Sequence, residues 1–144
     1  MKRKNCVSLT IASLLIFAAW GIADETADKA AVTKAVKDYY FMGLEKSDPE
    51  LLGKIFYKES HLMGIFNSKL WDKASVEWRK GFDPAKAKPG GWDRKVVSVD
   101  IAGEVAAVKT VLTSEKTTYI DFLNLMKIDG KWMIVNKIFH TIRK

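Results

Sequence analysis

Two apolar-rich runs, Tyr119–Ile128 and Lys131–His140, flank Asp129-Gly130. Asp-Gly supplies the positive φ angles of a two-residue type I′ turn, so β-branched and aromatic runs around it predict an antiparallel hairpin. A two-residue loop also sets a register. Counting outward from Ile128 and Lys131, Asp121 falls opposite Ile138, with Lys137 and His140 in diagonal or adjacent reach. A sheet must therefore end the chain, and whatever precedes it must cover one of its faces.

With 144 residues, 48% hydrophobic and 28% charged, the chain suits one domain with one core and is too apolar for a disordered segment. Its beginning reads differently. Met1-Lys2-Arg3-Lys4 is a positive n-region, Val7 to Trp20 is apolar apart from Ser and Thr, and Gly21-Ile22-Ala23 supplies small residues where a signal peptidase reads. The apolar run is short for a membrane span, and Asp24 and Glu25 follow it directly. The expectation is a signal peptide over 1–23, one domain over 24–144, a periplasmic or secreted location, and no membrane association after cleavage. Cys6, the single cysteine, leaves with the leader, so neither a disulfide nor thiol chemistry is expected in the mature domain. Loss of Lys2, Arg3 and Lys4 lowers the formal charge from +7 to +4. The remaining lysines are scattered among acids rather than gathered in a stripe with interleaved aromatics, so no nucleic-acid partner is expected.

From Asp24 to Lys46 the chain reads as a long amphipathic helix, with Val32, Ala35, Val36, Tyr39 and Gly43 at helical spacing. Ser47-Asp48-Pro49 stops it and starts a second helix over 49–56. Ser47 or Asp48 serves as cap, and Pro49 occupies the first turn, where its missing N–H costs nothing. A turn at 57–60 and a short strand at 61–66 follow. Leu70, Trp71, Ala74, Val76, Trp78 and Phe82 predict a third helix over about 72–81, capped by Asp72. Residues 83–91, DPAKAKPGG, read as a mobile basic loop. Four strands are then expected at 92–101, 104–114, 119–128 and 131–142, with Gly103 and Glu115-Lys116 at turns. Helices first and a strand meander afterwards define an α+β fold, a mostly antiparallel sheet with helices on one face. A sheet that curls and is closed on one side by helices leaves a conical cavity, the natural place for a ligand.

Three segments, AVTKAVKDYYFMGLEKSDPELLGKIFYKESHL, VVSVDIAGEVAAVKTVL and above all YIDFLNLMKIDGKWMIVNKIFH, resemble the nuclear transport factor 2-like superfamily, and within it the bacterial proteins labelled putative lumazine-binding. The resemblance spans roughly residues 30–142. It implies a cone-shaped α+β barrel of nuclear transport factor 2-like or cystatin-like form, often a homodimer through the outer face of its sheet, with a pocket. It implies no single activity, because that superfamily contains isomerases, dehydratases, hydrolases and non-catalytic binders.

Asp121 stands inside an otherwise apolar strand. A carboxylate there is either paired or lines a cavity, since desolvating it alone is costly. Apolar walls that raised its pKa would make it a general base, as the resemblance to the isomerases implies. The competing reading, and the favoured one, is a structural ion pair with Lys137 or His140. His140, and His61 at the start of the expected strand, are candidate proton shuttles or rim residues, against the commoner role of a packed histidine. Tyr39 and Trp132 read as core aromatics, whereas Tyr40, Trp71 and Trp78 are candidate walls for a flat ligand. No His/Cys/carboxylate set has metal spacing, and there is no phosphate loop, nucleophile elbow or Cys-His pair, so no metal and no cofactor are expected.

The expectation that follows is an exported domain that binds a small flat or apolar molecule through Tyr40, His61, Trp71, Trp78, Asp121 and His140, without assured catalysis. The alternative is a ketosteroid-isomerase- or dehydratase-like enzyme with Asp121 as base and His140, His61 or Tyr40 as proton donor. A third is an interaction module that dimerises through the sheet and meets an acidic partner with its basic loop.

Overall fold

At the terminal turn φ is 49° for Asp129 and 73° for Gly130, the pair of left-handed conformations that a type I′ turn requires. The turn joins β5 (Thr117–Ile128) to β6 (Lys131–Arg143). In this computed structural model, residues 12–144 are described, with side chains from Asp24 onward. The expected signal peptide, 1–23, thus lies outside the fully described residues. Among the described residues no helix is long and apolar enough to cross a membrane.

Four more strands, β1 (Phe56–Phe66), β2 (Lys69–Ala74), β3 (Asp93–Ala102) and β4 (Val105–Thr113), complete a six-stranded curved sheet in the order β2-β1-β6-β5-β4-β3. Only the β1–β6 pairing is parallel. Helices lead the chain and cover one face of the sheet, so the α+β cone expected from the sequence is the fold. The first helical segment runs as α1 (Ala12–Ala35), a π-helical stretch Val36–Phe41 and α2 (Met42–Glu45). The wider π turn brings two neighbouring aromatics, Tyr40 and Phe41, into the core together with Val32 and Val36. Asp48 caps α3 (Pro49–Gly53), its Oδ1 accepting from the Glu50 and Leu51 amides at 2.8 and 3.1 Å. Leu52, Ile55, Leu62, Leu123, Leu125 and Ile134 fill the space between helices and sheet.

Four expectations are corrected. The first concerns register. Counting from the turn holds from Ile128 opposite Lys131 to Leu125 opposite Ile134, then shifts, so that Asn124 faces Asn136 and Asp121 faces Phe139 rather than Ile138. Val135 is the extra residue of a β-bulge. Because side chains alternate along a strand, one inserted residue reverses the face of everything beyond it. Trp132 and Ile134 point inward before the bulge and Lys137 points inward after it, while Ile138 and His140 are turned to the outer face and exposed.

Secondly, the third helix of 72–81 is instead strand β2 followed by one turn of helix, α4 (Ser75–Arg79). Asn67 and Ser68 adopt left-handed φ angles of 49° and 60° and close a tight hairpin in which Phe66 pairs with Lys69. Asp72 is thus a strand residue, not a cap. Thirdly, β1 begins at Phe56, and the turn expected at 57–60 is part of it. Fourthly, the basic loop at 83–91 is held at both ends. The Asp83 amide donates to Ser47 Oγ at 3.0 Å, and the Gly90 amide to Glu45 Oε1 at 2.6 Å. Arg94 closes on the same Glu45 carboxylate.

Candidate functional site

Between the π-helical turn, α4 and the concave face of the sheet lies a cavity of about 560 Å³, within the range of small-molecule sites. All six strands contribute to its wall. Trp71 comes from β2, Tyr119 and Asp121 from β5, and Lys137 and Phe139 from β6. Tyr40 projects from the π-helical stretch, and Trp78 from α4. Helix α4 is tied to β1 by Ser75 Oγ, which accepts from Ser60 Oγ at 2.8 Å and donates to the Tyr57 carbonyl at 3.2 Å. That bond fixes Trp78 edge-on to Phe56 and Phe82, at centroid separations of 5.5 and 4.7 Å. Trp71 meets Phe139 edge-on at 5.5 Å, and Trp92 stacks on Tyr119 at 5.6 Å. The walls are therefore aromatic and their rings brace one another.

One side of this aromatic cavity is polar. Tyr40 donates its hydroxyl to Asp121 Oδ2 at 2.6 Å, and Lys137 Nζ donates to Tyr40 Oη at 2.7 Å and to Asp121 Oδ2 at 3.2 Å. All three are buried. Asp121 Oδ1 is also buried and has no hydrogen-bond partner among the described residues. Burial first, then the adjacent Asp121 carboxylate, push the Tyr40 phenol well above its ordinary 10.0, so it stays a hydroxyl. Burial pulls the Lys137 ammonium below its ordinary 10.5, opposed by the same carboxylate. Lys137 Nζ also lies 5.1–5.6 Å from the ring centres of Phe139, Tyr40 and Trp78, close enough for cation–π attraction. At the mouth, the Gly90 amide and the Arg94 guanidinium hold the Glu45 carboxyl below its ordinary 4.5 against the effect of burial. Lys86 and Lys88 of the pinned loop also line the cavity.

Of the six residues expected to contact a ligand, Tyr40, Trp71, Trp78 and Asp121 are brought together here. His61 and His140 are not. His61 faces outward from β1, its Nδ1 2.7 Å from Asp72 Oδ1 on β2. His140 lies beyond the Val135 bulge on the outer face. The ion pair expected of Asp121 is present, with Lys137 rather than His140, and both partners line the cavity. Nothing in the sequence marks Phe139, Trp92 and Tyr119 as cavity residues, and Lys137 reads there only as a structural partner. Its signal was the same as that of Asp121, a charge inside an otherwise apolar strand. Among the described residues, no three of His, Cys, Asp and Glu gather closely enough to hold a metal ion.

Residues 27–140 match the model of a family described as putative lumazine-binding. Similar solved structures include a nuclear transport factor 2-like protein of unknown function from Shewanella baltica OS155, 22% identical, with a TM-score of 0.75 over 83% of this chain and 97% of that one. Another, from Silicibacter pomeroyi DSS-3, is 21% identical, with a TM-score of 0.74 over 82% and 98%. At these identities the likeness establishes the fold alone. A 46-residue stretch is 39% identical to aldolase FrzH of Cladobotryum sp. That match covers 32% of this chain and only 37% of the aldolase.

Proposed function

This chain belongs to the family described as putative lumazine-binding, and from that premise we propose that its cone holds one small, flat, largely apolar molecule without converting it. The observation that carries this reading is the 560 Å³ cavity with braced aromatic walls and a buried polar cluster of Tyr40, Lys137 and Asp121. Flat rings would lie against Trp71, Trp78 and Tyr119, and a polar edge would meet Tyr40, Lys137 and Asp121. The test is native mass spectrometry of the protein purified from its source, with a tryptophan-fluorescence titration using lumazine as the first probe. A co-purifying small molecule, or saturable quenching at one probe per chain that Trp78→Leu weakens, is the expected result. Protein that carries nothing and shows no saturable quenching with flat heterocycles would overturn the reading.

A second reading is favoured by one contact, the 2.6 Å hydrogen bond from Tyr40 to Asp121 at the cavity wall. A base and a proton donor side by side suit an isomerase or dehydratase. In that reading Asp121 takes a proton from carbon and Tyr40 steadies the developing oxyanion, while His61 and His140, facing outward, take no part. Deuterium exchange next to the carbonyl of a cyclic ketone, abolished by Asp121→Asn, separates it from pure binding.

Export and assembly belong to the same proposal. The mature protein would begin at Asp24 in the periplasm or outside the cell, which N-terminal sequencing of exported protein tests; an intact Met1 would refute it. Two copies would pair through the outer face of the sheet.

A further inference from the structure

We propose that Lys137 is a covalent capture point, at which an aldehyde or ketone entering the cavity condenses with Nζ to form an imine. The inference rests on the reading of the cavity as a small-molecule site and adds the chemical class of its guest. A lysine amine on a protein surface is protonated and surrounded by water, and both hold it back as a nucleophile. Lys137 is 7% exposed and stands in the cavity wall among Tyr40, Trp78 and Phe139. Burial favours its neutral form, and a neutral amine in a ring-lined pocket is the form that attacks carbonyl carbon.

The surrounding groups supply each proton transfer. Lys137 Nζ gives a proton to Asp121 Oδ2, 3.2 Å away. The freed lone pair of Nζ then attacks the carbonyl carbon. A C–N bond forms, and the carbonyl π pair moves to oxygen, which takes the proton held by Asp121. A second proton passes from nitrogen to oxygen through the same carboxylate. The C–O bond breaks, water leaves, and the nitrogen lone pair completes the C=N bond. The net change is ammonium plus carbonyl to iminium plus water, with Asp121 returned to its carboxylate. The positive charge on nitrogen is the same before and after, so the Asp121 ion pair and the cation–π contacts survive the reaction. Tyr40, kept protonated by its surroundings, donates its hydroxyl to Asp121 Oδ2 at 2.6 Å and so holds the carboxylate beside Nζ.

The test uses 2-naphthaldehyde with sodium cyanoborohydride near neutral pH, early quenching, and peptide mapping of the reduced adduct on the unaltered protein. Lys34, Lys58 and Lys80, with side chains 76%, 74% and 70% exposed, are internal controls. Lys137 is expected to be modified at least about tenfold faster than any of them, because the pocket holds carbonyl and amine together. Labelling confined to the exposed lysines would overturn the proposal. A parallel titration with 2-naphthalenemethanol reads the cavity without imine chemistry. If the alcohol quenches tryptophan fluorescence while Lys137 stays unlabelled, the imine is refuted and the binding reading stands. If neither probe reacts or binds, both fall. Lys137→Arg keeps the cation but has no condensing amine, so it should lose the fast adduct; a fast adduct that persists in this variant would also refute the assignment.

Discussion

Lys137 and Asp121 form a buried pair whose separate halves are costly to the fold. Lys137→Met leaves an uncompensated carboxylate in an apolar wall, and a loss of about 3–5 kcal/mol in urea unfolding is expected. Tyr40→Phe removes one donor and leaves the ion pair, so the loss should be about 1–3 kcal/mol. Combining Lys137→Met with Asp121→Leu should recover much of the first loss, since no charge then remains buried; a double variant as unstable as the single would mean that the lysine stem, not the charge, carries the effect. The Tyr40 phenol gives a pH test. Its folded value lies above the unfolded 10.0, so the native state holds that proton longer. Its contribution to stability is complete below pH 10 and is lost as pH rises through the raised value. Lys137, pulled down from 10.5, works in the opposite direction, its burial penalty fading as pH climbs past the lowered value. In an alkaline titration the tyrosinate absorbance of Tyr40 should appear only as the protein unfolds, and Tyr40→Phe should remove that step.

At the scale of elements, the Val135 bulge decides which charged side chains enter the cavity. Without it the alternation that begins at Trp132 and Ile134 would carry Asn136, Ile138 and His140 inward; with it Lys137 and Phe139 enter. The turn was legible because Asp-Gly has few alternatives. The bulge was not, because Val135 is as good a strand residue as its neighbours and nothing in its chemistry marks an insertion. The same limit hid β2. Asn67-Ser68 is a weaker turn signal than Asp-Gly, and Trp71 and Trp78, seven residues apart, imitate one helix face while lying on a strand and a one-turn helix. The aromatic and acidic part of the site was readable, Tyr40, Trp71, Trp78 and Asp121, because residue type alone singles it out; the histidines misled because their facing depends on register. The parallel contact of β1 with β6 adds a steric condition. Gly64 lies against Phe139, and a Cβ there would come within 2.7 Å of the ring. Gly64→Ala must push Phe139 toward the cavity, and overpacking of this kind costs about 1–3 kcal/mol. Weaker binding of a flat probe, with secondary structure retained by circular dichroism, is the expected result; unchanged affinity would mean that Phe139 can yield elsewhere.

On the scale of the whole molecule, the sheet has two faces with different duties, and the outer one is more apolar than solvent exposure alone favours. Phe122 and Ile138 are cross-strand partners, as are Val105 and Met126, and these four are 44–46% exposed. Ile142 continues the stripe on β6 at 43%, and Lys109 lies over the Phe122 ring at 5.6 Å. Apolar side chains exposed on one face of a sheet are candidates for an interaction surface, and a two-fold pairing would bring the same face onto itself with no second kind of partner. A lasting dimer buries about 800 Å² per subunit, more than these five side chains provide, so the pairing would also cover the polar residues between them, the Asn124–Asn136 pair and His140. Phe122→Glu puts a carboxylate in the middle of the stripe and leaves the opposite face, with Asp121 and Leu123, untouched. Light scattering after size exclusion should give twice the chain mass for the unaltered protein and a single chain mass for the variant, with fluorescence quenching by a flat probe the same in both. A monomeric unaltered protein would refute the pairing, and a variant that loses probe binding together with its dimer would mean that the cavity takes its shape from the partner and not from one chain alone.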